Sequence, residues 1–399
     1  MHYLTMHNKQ CTMHNVGEGE LSIGLPLSKS VRARELVLDA LAGKEVEIET
    51  ENDDIFVLSR ALNQCHDAQL AVRCDLHHSG TALRFMTAYC AVTEGEFVLV
   101  GSERLCERPI KPLVDALRSM GAKIEYLEKE GFAPLKIKGG VLKGGRVRLD
   151  ASVSSQFASA LMLIAGKVEE GVEIEYEGDV VSEAYIRLTE RVIERYKRGV
   201  CESGERDWSS ATVWYAVMAV VGCGEMVLDG LVLGSEQPDR AVVEVFEKLG
   251  VYSVGIERGV KIERREDDVA NKMELDCSDM PDAVMYIVVA ACLLGVEFEI
   301  CGVKTLKVKE SDRIEALITE MRKCGYVLKY DEIGKICWSG ERCDAEYKPC
   351  IRTYNDHRIA MAMAVVGLTQ EIEIDSAEVV NKSYPEFWYE FGKIEKTLL

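Results

Sequence analysis

The sequence lacks the features that would place it in a membrane, secreted or nucleic-acid-binding class. Its longest apolar stretch, Ala283–Val296, is too short to span a bilayer. The first 20 residues contain no apolar core of signal-peptide length. A formal net charge of −19 leaves no basic footprint for general nucleic-acid binding or for docking on anionic lipid. An acidic chain can still enclose a local cationic pocket, so small anionic substrates stay possible.

Disulfide, metal and nucleotide patterns are also missing. The chain has 14 cysteines but no C-x-x-C pair, and the thiols are scattered, so we expect a reducing, cytoplasmic environment. No G-x-x-x-x-G-K-[ST] segment occurs, which excludes a standard P-loop. One group of residues has the right chemistry for zinc but not the usual ligand spacing: Cys65, His66, Cys74, His77 and His78.

What the chain does contain is a repeat of architecture. With 399 residues, of which 47% are apolar and 29% charged, it is long enough for two ordinary globular domains. Six times a short polar loop precedes a nearly continuous apolar helix. The predicted helices are Val31–Leu41, Ala82–Val92, Phe157–Ala165, Ala211–Val221, Ala283–Leu294 and Ile359–Leu368. Helices that are apolar on nearly every face are buried on nearly every face.

Amphipathic helices and short strands fill the intervals between the buried helices. The amphipathic helices are predicted at Pro109–Met120, Tyr185–Tyr196, Ala241–Leu249 and Arg313–Cys324. The strands are predicted at Phe97–Val100, Lys123–Tyr126, Leu135–Ile137, Val172–Tyr176 and Phe298–Ile300. Each unit therefore has the order strand, buried helix, strand, amphipathic helix, hairpin. Six units predict two domains of three units each.

The polar openings of the buried helices are candidate binding elements. Exposed N–H groups and helix dipoles attract anions to helix N-termini, so two domains with parallel buried helices would form a positively biased cleft. Within these openings Arg84 lies on an otherwise apolar helix and needs a partner or a ligand. Arg108 could bind a phosphate, or it could form a salt bridge with Glu103 or Glu107.

The most charged short stretch is Val308-Lys309-Glu310-Ser311-Asp312-Arg313. By itself it predicts a helix start with Ser311 or Asp312 as the N-cap. It follows an apolar run and precedes an amphipathic helix, which places it where a core ends. The recurrence of similar openings along the chain favours a binding role for its charges.

Taken together, these motifs resemble the EPSP synthase (3-phosphoshikimate 1-carboxyvinyltransferase) family nearly from end to end. The matching pieces are Ser28-Lys29-Ser30, Gly80-Thr81-Ala82-x-Arg84, Glu107-Arg108-Pro109-Ile110, Ser154-Ser155-Gln156, Val308–Arg313 and Tyr354-Asn355-Asp356-His357-Arg358. The resemblance implies an α/β (α+β) fold, a two-domain inside-out barrel in which each domain has three βαβαββ-like units around parallel buried helices. It implies one domain of residues 1–27 and 206–399, on the phosphoenolpyruvate and proton-transfer side. The other domain, residues 28–205, is expected to take shikimate 3-phosphate.

The implied reaction moves the enolpyruvyl group of phosphoenolpyruvate to the 5-hydroxyl of shikimate 3-phosphate, through a tetrahedral intermediate that expels phosphate. No metal or organic cofactor is expected, and the resemblance implies a cytoplasmic monomer whose partners are only these small substrates. The residues implied for catalysis are Lys29, Asp282, Glu310 and His357. Those implied for shikimate 3-phosphate are Lys29, Ser30, Arg34, Ser154, Ser155, Gln156, Ser182, Tyr185, Asp282 and Lys309. Those implied for phosphoenolpyruvate are Lys29, Gly80, Arg108, Gln156, Arg313, Arg358 and Lys382.

The sequence departs from the family pattern in five places. Four are single residues: Leu27, His78, Phe85 and Thr305. Thr305 stands where an asparagine usually contacts shikimate 3-phosphate, which puts that contact in doubt. The fifth is residues 197–206, which are shorter than the family pattern by about a hairpin's worth of strand.

Two alternatives remain at this point. UDP-N-acetylglucosamine enolpyruvyl transferase shares the fold and the donor, but it usually carries a cysteine where this chain has Glu103, and Cys106 is too close to Arg108 to match. A non-catalytic anion-binding relative is the other alternative, because the short segment at 197–206 could impair closure. Two acids beside an anion site, Asp282 and Glu310, favour an enzyme.

Overall fold

The computed structural model describes residues 3–6, 21–48, 53–66, 71–150, 154–178, 183–201, 204–222, 224–331 and 333–397. These residues form two compact units. Unit 1 comprises Met1–Ser28 and Glu205–Leu399, and unit 2 comprises Lys29–Gly204. The crossovers expected near Leu27 and Arg206 lie within two residues of these boundaries, and the two residues form an antiparallel bridge with each other. No helix in the described part of the chain is long and apolar enough to cross a membrane.

The strands of the described residues are short and are numbered here in chain order. They are β1 (Tyr3–Met6), β2 (Leu21–Gly24), β3 (Val72–Asp75), β4 (Gly95–Val100), β5 (Lys123–Tyr126), β6 (Leu135–Gly139), β7 (Gly145–Asp150), β8 (Val172–Glu177), β9 (Glu225–Asp229), β10 (Leu249–Ile256), β11 (Gly259–Val269), β12 (Lys272–Asp276), β13 (Glu297–Cys301), β14 (Lys329–Tyr330), β15 (Ile336–Trp338), β16 (Cys350–Ile351) and β17 (Ile372–Asp375).

The α-helices are numbered in the same way. They are α1 (Lys29–Leu41), α2 (Asp53–His66), α3 (Gly80–Val92), α4 (Glu103–Cys106), α5 (Lys111–Ser119), α6 (Ser155–Ile164), α7 (Glu183–Lys197), α8 (Trp208–Val221), α9 (Val242–Glu247), α10 (Val284–Leu294), α11 (Arg313–Lys323), α12 (His357–Val366) and α13 (Phe387–Thr397). Short 3₁₀ segments precede or follow several of them, including Pro238–Ala241, Pro281–Ala283 and Lys304–Val308.

The six apolar helices predicted from the sequence are confirmed as α1, α3, α6, α8, α10 and α12. In each unit the three buried helices contact one another, and the hydrophobic core of the unit forms around them. Helices α8 and α10 end at Gly222 and Gly295, which adopt φ angles of 84° and 73° that favour glycine. Helix α2 was not predicted, although its buried residues Ile55, Leu58, Leu62 and Cys65 recur at helical spacing.

The strand pairings explain the predicted repeat. Sheet β3-β4-β6-β5 and sheet β12-β13-β15-β14 share one topology, in which two parallel strands are followed by an antiparallel hairpin. Sheet β2-β9-β11-β10 has the same order, with all of unit 2 inserted between its first strand and α8. The mixed helix-and-strand class is therefore confirmed. Within the described residues the sheets stay separate and open, so they do not close into a barrel.

Candidate active site

Arg313 is the centre of the charged cluster in unit 1. It is the first residue of α11 and only 1% of its surface is exposed. Its guanidinium donates to Asp356 from Nε at 2.8 Å, to Asp282 from Nη1 at 2.7 Å and to Glu310 from Nη2 at 2.7 Å. Burial opposes its charge, but the three carboxylates outweigh burial and raise the pKa of Arg313 above its ordinary value. Each of the three guanidinium nitrogens therefore donates a hydrogen bond to a carboxylate.

Asp356 holds this cluster to the start of α12. It is fully buried and is the N-cap of the helix, where its Oδ1 accepts from the backbone N–H of Arg358 at 3.0 Å. Its Oδ2 accepts from the hydroxyl of Ser311 at 2.9 Å. The turn before it, Tyr354-Asn355, has φ angles of 53° and 56°, a region that costs about 1 kcal/mol or more for non-glycine residues. Such a turn persists only where surrounding contacts hold it, and here it places Asp356 against Arg313.

Asp282 is the carboxylate that the cations share. Its oxygens lie 2.7 Å from Arg313, 3.3 Å from Arg358 and 3.4 Å from Lys309. Burial would raise the pKa of Asp282, but Lys309, Arg358 and Arg313 together hold it below its ordinary value. The carboxylate is therefore ionised at neutral pH in the ligand-free protein, and it is a weak proton acceptor until those cations find other partners.

Arg358, His357 and Lys382 lie around the start of α12. Arg358 and His357 are buried as the first residues of the helix, with 5% and 2% of their surface exposed. Burial opposes the charge of Arg358, but Asp282 and further acidic groups raise its pKa well above the ordinary value. Lys382 donates to the carbonyl oxygen of Asn355 at 2.5 Å, so its ammonium lies at the turn that precedes this helix.

Two residues near Arg358 were missed in the sequence. Asp239, in the 3₁₀ segment Pro238–Ala241, is 2% exposed and accepts a hydrogen bond from Ser209. Burial raises its pKa to about 6, although the nearby charge of Arg358 acts in the opposite direction. Tyr286 is fully buried on α10, and burial raises its pKa against the opposing effect of Arg358. A lone Asp after proline and a Tyr within an apolar helix carry no sequence signal for such a position.

In unit 2, Arg34 is buried among neutral groups. Its Nε donates to Thr189 at 2.7 Å and its Nη2 to Ser159 at 3.1 Å, while Nη1 donates to the carbonyl oxygen of Ser30 at 2.5 Å. Its guanidinium also lies 5.5 Å from the ring of Phe85, one of the departures from the family pattern. In the described part of the chain it forms no ion pair with a carboxylate. Burial lowers the pKa of Arg34 to about 10.

Gly80 and Arg108 fit together closely. A Cβ atom on Gly80 would lie 2.3 Å from Nη1 of Arg108, a distance that no pair of such atoms tolerates. The alternative in which Arg108 pairs with Glu103 or Glu107 is wrong, since Glu107 pairs with Arg104 at 3.0 Å and no described carboxylate forms an ion pair with Arg108. Its Nε is buried and makes no hydrogen bond within the described residues. Among the described residues Arg108 is therefore a cation without a neutralising acid.

Arg84 braces the loop that carries Arg108. It donates to the carbonyl oxygen of Gly80 at 3.2 Å and to that of Pro109 at 2.8 Å, and its guanidinium lies 6.0 Å from the ring of Phe157. The sequence predicted that this buried arginine needs a partner, and its partners include two backbone carbonyl groups. Arg84 ties the start of α3 to the residue that follows Arg108.

The opening of α6 brings neutral hydrogen-bonding groups together. Ser154 caps the helix by accepting from the backbone N–H of Gln156 at 3.3 Å, and Ser155 is 7% exposed. The Gln156 side chain donates to the hydroxyl of Thr81 at 3.0 Å, which joins the openings of α6 and α3. The amide oxygen of Gln156 is buried and has no hydrogen-bond donor among the described residues.

Two further predicted residues of unit 2, Lys29 and Tyr185, lie at helix starts. Lys29 is the first residue of α1 and its ammonium lies 2.9 Å from a carboxylate oxygen of Asp54. The backbone carbonyl of Tyr185, in the first turn of α7, accepts from Arg34 at 3.4 Å and from Thr189 at 2.8 Å. Ser182 lies outside the described residues.

The group considered for zinc is not arranged as a metal site. Cys65 and Cys74 are buried with their sulfur atoms 3.6 Å apart, and Cys90 lies 3.9 Å from Cys65. His77 instead lies 3.2 Å from the guanidinium of Arg60. No group of three or more His, Cys, Asp or Glu residues that could hold a metal ion occurs within the described ranges.

Comparison with known proteins gives one consistent result. The family model for EPSP synthase (3-phosphoshikimate 1-carboxyvinyltransferase) matches residues 17–391. The 3-phosphoshikimate 1-carboxyvinyltransferase of Bacteroides fragilis is 37% identical over 393 residues, which covers 93% of this chain and 94% of that protein. The protein of the same name from Mannheimia succiniciproducens is 33% identical over 435 residues, covering 97% and 99%. The solved EPSP synthase of Acinetobacter baumannii has the same fold, with a TM-score of 0.70 at 20% identity over 98% of both chains.

Proposed function

This chain belongs to the EPSP synthase family, and we propose which of its residues carry the enolpyruvyl transfer that the family performs. The reaction joins the enolpyruvyl group of phosphoenolpyruvate to shikimate 3-phosphate and releases phosphate. The observation that carries the assignment of roles is the cluster of Arg313 with Asp282, Glu310 and Asp356. It combines two acids near solvent with cations that suit a phosphate and a carboxylate.

The donor roles belong mainly to unit 1. Arg313, Arg358 and Lys382 bind phosphoenolpyruvate, and His357 supports them from the start of α12. From unit 2, Arg108 and Lys29 add cations and Gly80 allows close approach. Because Arg313 and Arg358 already contact Asp282, the anionic donor must replace carboxylates as their partner. That replacement would also raise the pKa of Asp282 towards the range that suits a base.

The acceptor roles belong mainly to unit 2. The hydroxyls of Ser30, Ser154, Ser155 and Ser182 suit phosphate and ring hydroxyls, and Arg34 and Tyr185 complete the set. From unit 1, Asp282 and Lys309 contact the acceptor, and Gln156 lies next to both substrates. This division gives the domain of residues 28–205 to shikimate 3-phosphate and the domain of residues 1–27 and 206–399 to phosphoenolpyruvate and proton transfer.

Proton transfer is assigned to two carboxylates and one amine. Asp282 takes the proton of the attacking 5-hydroxyl, while Glu310 delivers a proton to C3 of the donor and later removes one. Lys29, which contacts both substrates, moves protons between them. Phosphate leaves when the tetrahedral intermediate collapses, and no step requires a metal or an organic cofactor.

Phosphate release is the direct test of the whole assignment. Incubation with shikimate 3-phosphate and phosphoenolpyruvate is expected to release phosphate and to form an enolpyruvyl ether. Tight binding of shikimate 3-phosphate with no phosphate release would instead support the non-catalytic relative. UDP-N-acetylglucosamine in place of shikimate 3-phosphate is expected to give no turnover.

The alternative acceptor is also disfavoured by the loop that carries Arg108. Cys106, the nearest thiol to it in sequence, donates weakly to the carbonyl of Gly101, with sulfur and oxygen 3.7 Å apart. Burial raises the pKa of Cys106, which makes the thiolate scarce at neutral pH.

We expect a monomer of 44.5 kDa, which light scattering of the purified protein would check.

A further inference from the structure

Among the described residues, one strand pair of unit 2 lacks a neighbour that the corresponding pairs possess. In four sheets the second strand of a parallel pair has an antiparallel strand on its other side: β4 has β6, β9 has β11, β13 has β15 and β17 has β1. Strand β8 pairs with β7 on one side only, and no described strand covers its other side. Alternate N–H and C=O groups of β8 therefore point away from its one partner.

The reason lies in the chain that follows α7. After the equivalent helices α5 and α11, the chain returns as the hairpins β5–β6 and β14–β15. After α7, which ends at Lys197, the chain enters unit 1 at Glu205. The described residues of this short connection, 198–201 and 204, contain no strand. In the described part of the chain, this repeat therefore has its two parallel strands and its two helices but no hairpin.

The missing neighbour leaves apolar side chains partly uncovered. On the equivalent strands, Phe97 and Leu99 of β4 and Ile300 of β13 are fully buried. On β8, Ile174 is half-buried and Tyr176 is 39% exposed. Met162 of α6 and Ile193 of α7 are likewise only partly buried against the same core. Partly exposed apolar side chains therefore occur on β8 and on the helices α6 and α7 that share its core.

The outward face of β8 is acidic. Glu173, Glu175 and Glu177 alternate with its apolar residues and form ion pairs with the arginines of β7, yet their side chains stay 72%, 49% and 56% exposed. In two of the complete sheets, a lysine within the neighbouring strand, or directly before it, faces a glutamate of the second strand. Lys138 of β6 lies opposite Glu96 of β4, and the ammonium of Lys335 lies 2.8 Å from Glu299 of β13.

We propose that the open side of β8 is a docking edge for an extended segment of a partner protein, in which apolar residues alternate with Lys or Arg. The segment would lie antiparallel to β8, as β6 lies against β4, with its apolar residues over Ile174 and Tyr176 and its cations beside the three glutamates. A second copy of this chain does not fit, because antiparallel pairing of β8 with itself places glutamate opposite glutamate, which is unfavourable.

Peptide binding to the full-length protein tests this proposal. The probe is a fluorescein-labelled peptide in which Leu, Ile and Val alternate with Lys, compared with a peptide of the same composition whose lysines are contiguous. Fluorescence anisotropy is expected to show saturable binding of the alternating peptide, about tenfold tighter than of the permuted one. Hydrogen exchange should slow in residues 172–177 when the peptide is bound.

Variants with matched charge distinguish peptide binding at the edge of β8 from nonspecific attraction of a cationic peptide to an acidic protein. The combined substitution Glu173→Gln, Glu175→Gln and Glu177→Gln is expected to weaken binding about tenfold. The control, Glu125→Gln, Glu128→Gln and Glu130→Gln, removes the same charge from exposed positions of the same unit and should leave binding unchanged. Tyr176→Ser should weaken binding without changing the charge.

Three outcomes would overturn the proposal. Equal affinity for the alternating and permuted peptides would show attraction by charge alone. Protection from exchange outside β8 would place the peptide elsewhere. A concentration-dependent dimer of the free protein that Tyr176→Ser dissociates would make a second copy the occupant of this edge.

Discussion

The two units hold their candidate site arginines in different ways. In unit 1, Arg313 is surrounded by three carboxylates, and Arg358 contacts Asp282. In unit 2, Arg34 contacts hydroxyls and backbone carbonyls, and no described carboxylate pairs with Arg34 or Arg108. Arg313 and Arg358 are thus neutralised within unit 1 before any substrate arrives, whereas Arg34 and Arg108 of unit 2 have no acid beside them in the described part of the chain. An anion should bind unit 2 without breaking ion pairs, while in unit 1 it must displace a carboxylate.

The largest expected effect is the loss of turnover in Glu310→Gln. The amide oxygen of the glutamine can still accept the hydrogen bond from Arg313. The amide cannot take up or deliver a proton, however, so kcat should fall by a factor on the order of a thousand. Substrate affinity should change little. Pre-steady-state kinetics and equilibrium titration separate the two effects, and Glu315→Gln, an exposed acid on the following helix α11, is the control. Full turnover with lost affinity would mean that Glu310 binds substrate rather than moves protons.

The difference between the two units should be largest in how much the loss of a buried arginine lowers the free energy of unfolding. Arg313→Met removes the guanidinium that neutralises the fully buried Asp356, and it should lower the unfolding free energy by about 3–5 kcal/mol. Arg34→Met removes a buried cation from neutral partners, and it should change the unfolding free energy by only about 1 kcal/mol. Urea denaturation of both variants measures the difference. Equal losses would show that the two arginines are held alike.

A pH-dependent effect is expected from Asp239 in unit 1. Burial raises its pKa from 3.8 to about 6, so in this interval the folded protein holds a proton that the unfolded chain has lost. This group therefore lowers stability as the pH rises through the interval, and the effect is complete above about 6. Asp239→Asn should be more stable than the native protein by on the order of 3 kcal/mol at pH 8 and equally stable near pH 3.

The control for this titration is Asp344→Asn, which removes a charge from an exposed loop position. Its stability relative to the native protein should not vary between these pH values. If Asp239→Asn were less stable at pH 8, the negative charge of Asp239 would be needed to hold Arg358.

A smaller effect is expected from the close fit of Gly80 and Arg108. In Gly80→Ala the new methyl group collides with the guanidinium, 2.3 Å from Nη1, so Arg108 must turn away. The KM for phosphoenolpyruvate should rise by roughly tenfold while the affinity for shikimate 3-phosphate stays the same. Gly140→Ala, where a Cβ meets nothing within 4 Å, is the control. An unchanged KM would mean that Arg108 does not bind the donor.

The sequence predicted the buried helices well because their signal is local. Helices such as α8 and α10 are apolar on every face, and the amphipathic α11 was predicted to within one residue. The helix predicted at Ala241–Leu249 was extended too far towards its C-terminus, since α9 ends at Glu247 and Leu249 begins β10. A leucine fits either element, and only the pairing of β10 with β11 decides it.

The partners of the site residues could not be predicted in the same way. Arg34 and Thr189 are 155 positions apart, and Arg313 and Asp356 are 43 apart, so no periodicity links them. The sequence marked Asp356 only as a neighbour of His357, although it is the carboxylate that fixes Arg313. Such contacts depend on how strands and helices are brought together by the sheets.

Calorimetric titration of each substrate alone tests the central claim most directly. If Arg313 and Arg358 are neutralised by carboxylates and the site arginines of unit 2, Arg34 and Arg108, are not, shikimate 3-phosphate should bind the free protein readily. Phosphoenolpyruvate alone should bind at least about tenfold more weakly, because its binding must first break ion pairs to Asp282. Phosphoenolpyruvate binding alone as tightly as shikimate 3-phosphate would contradict the account.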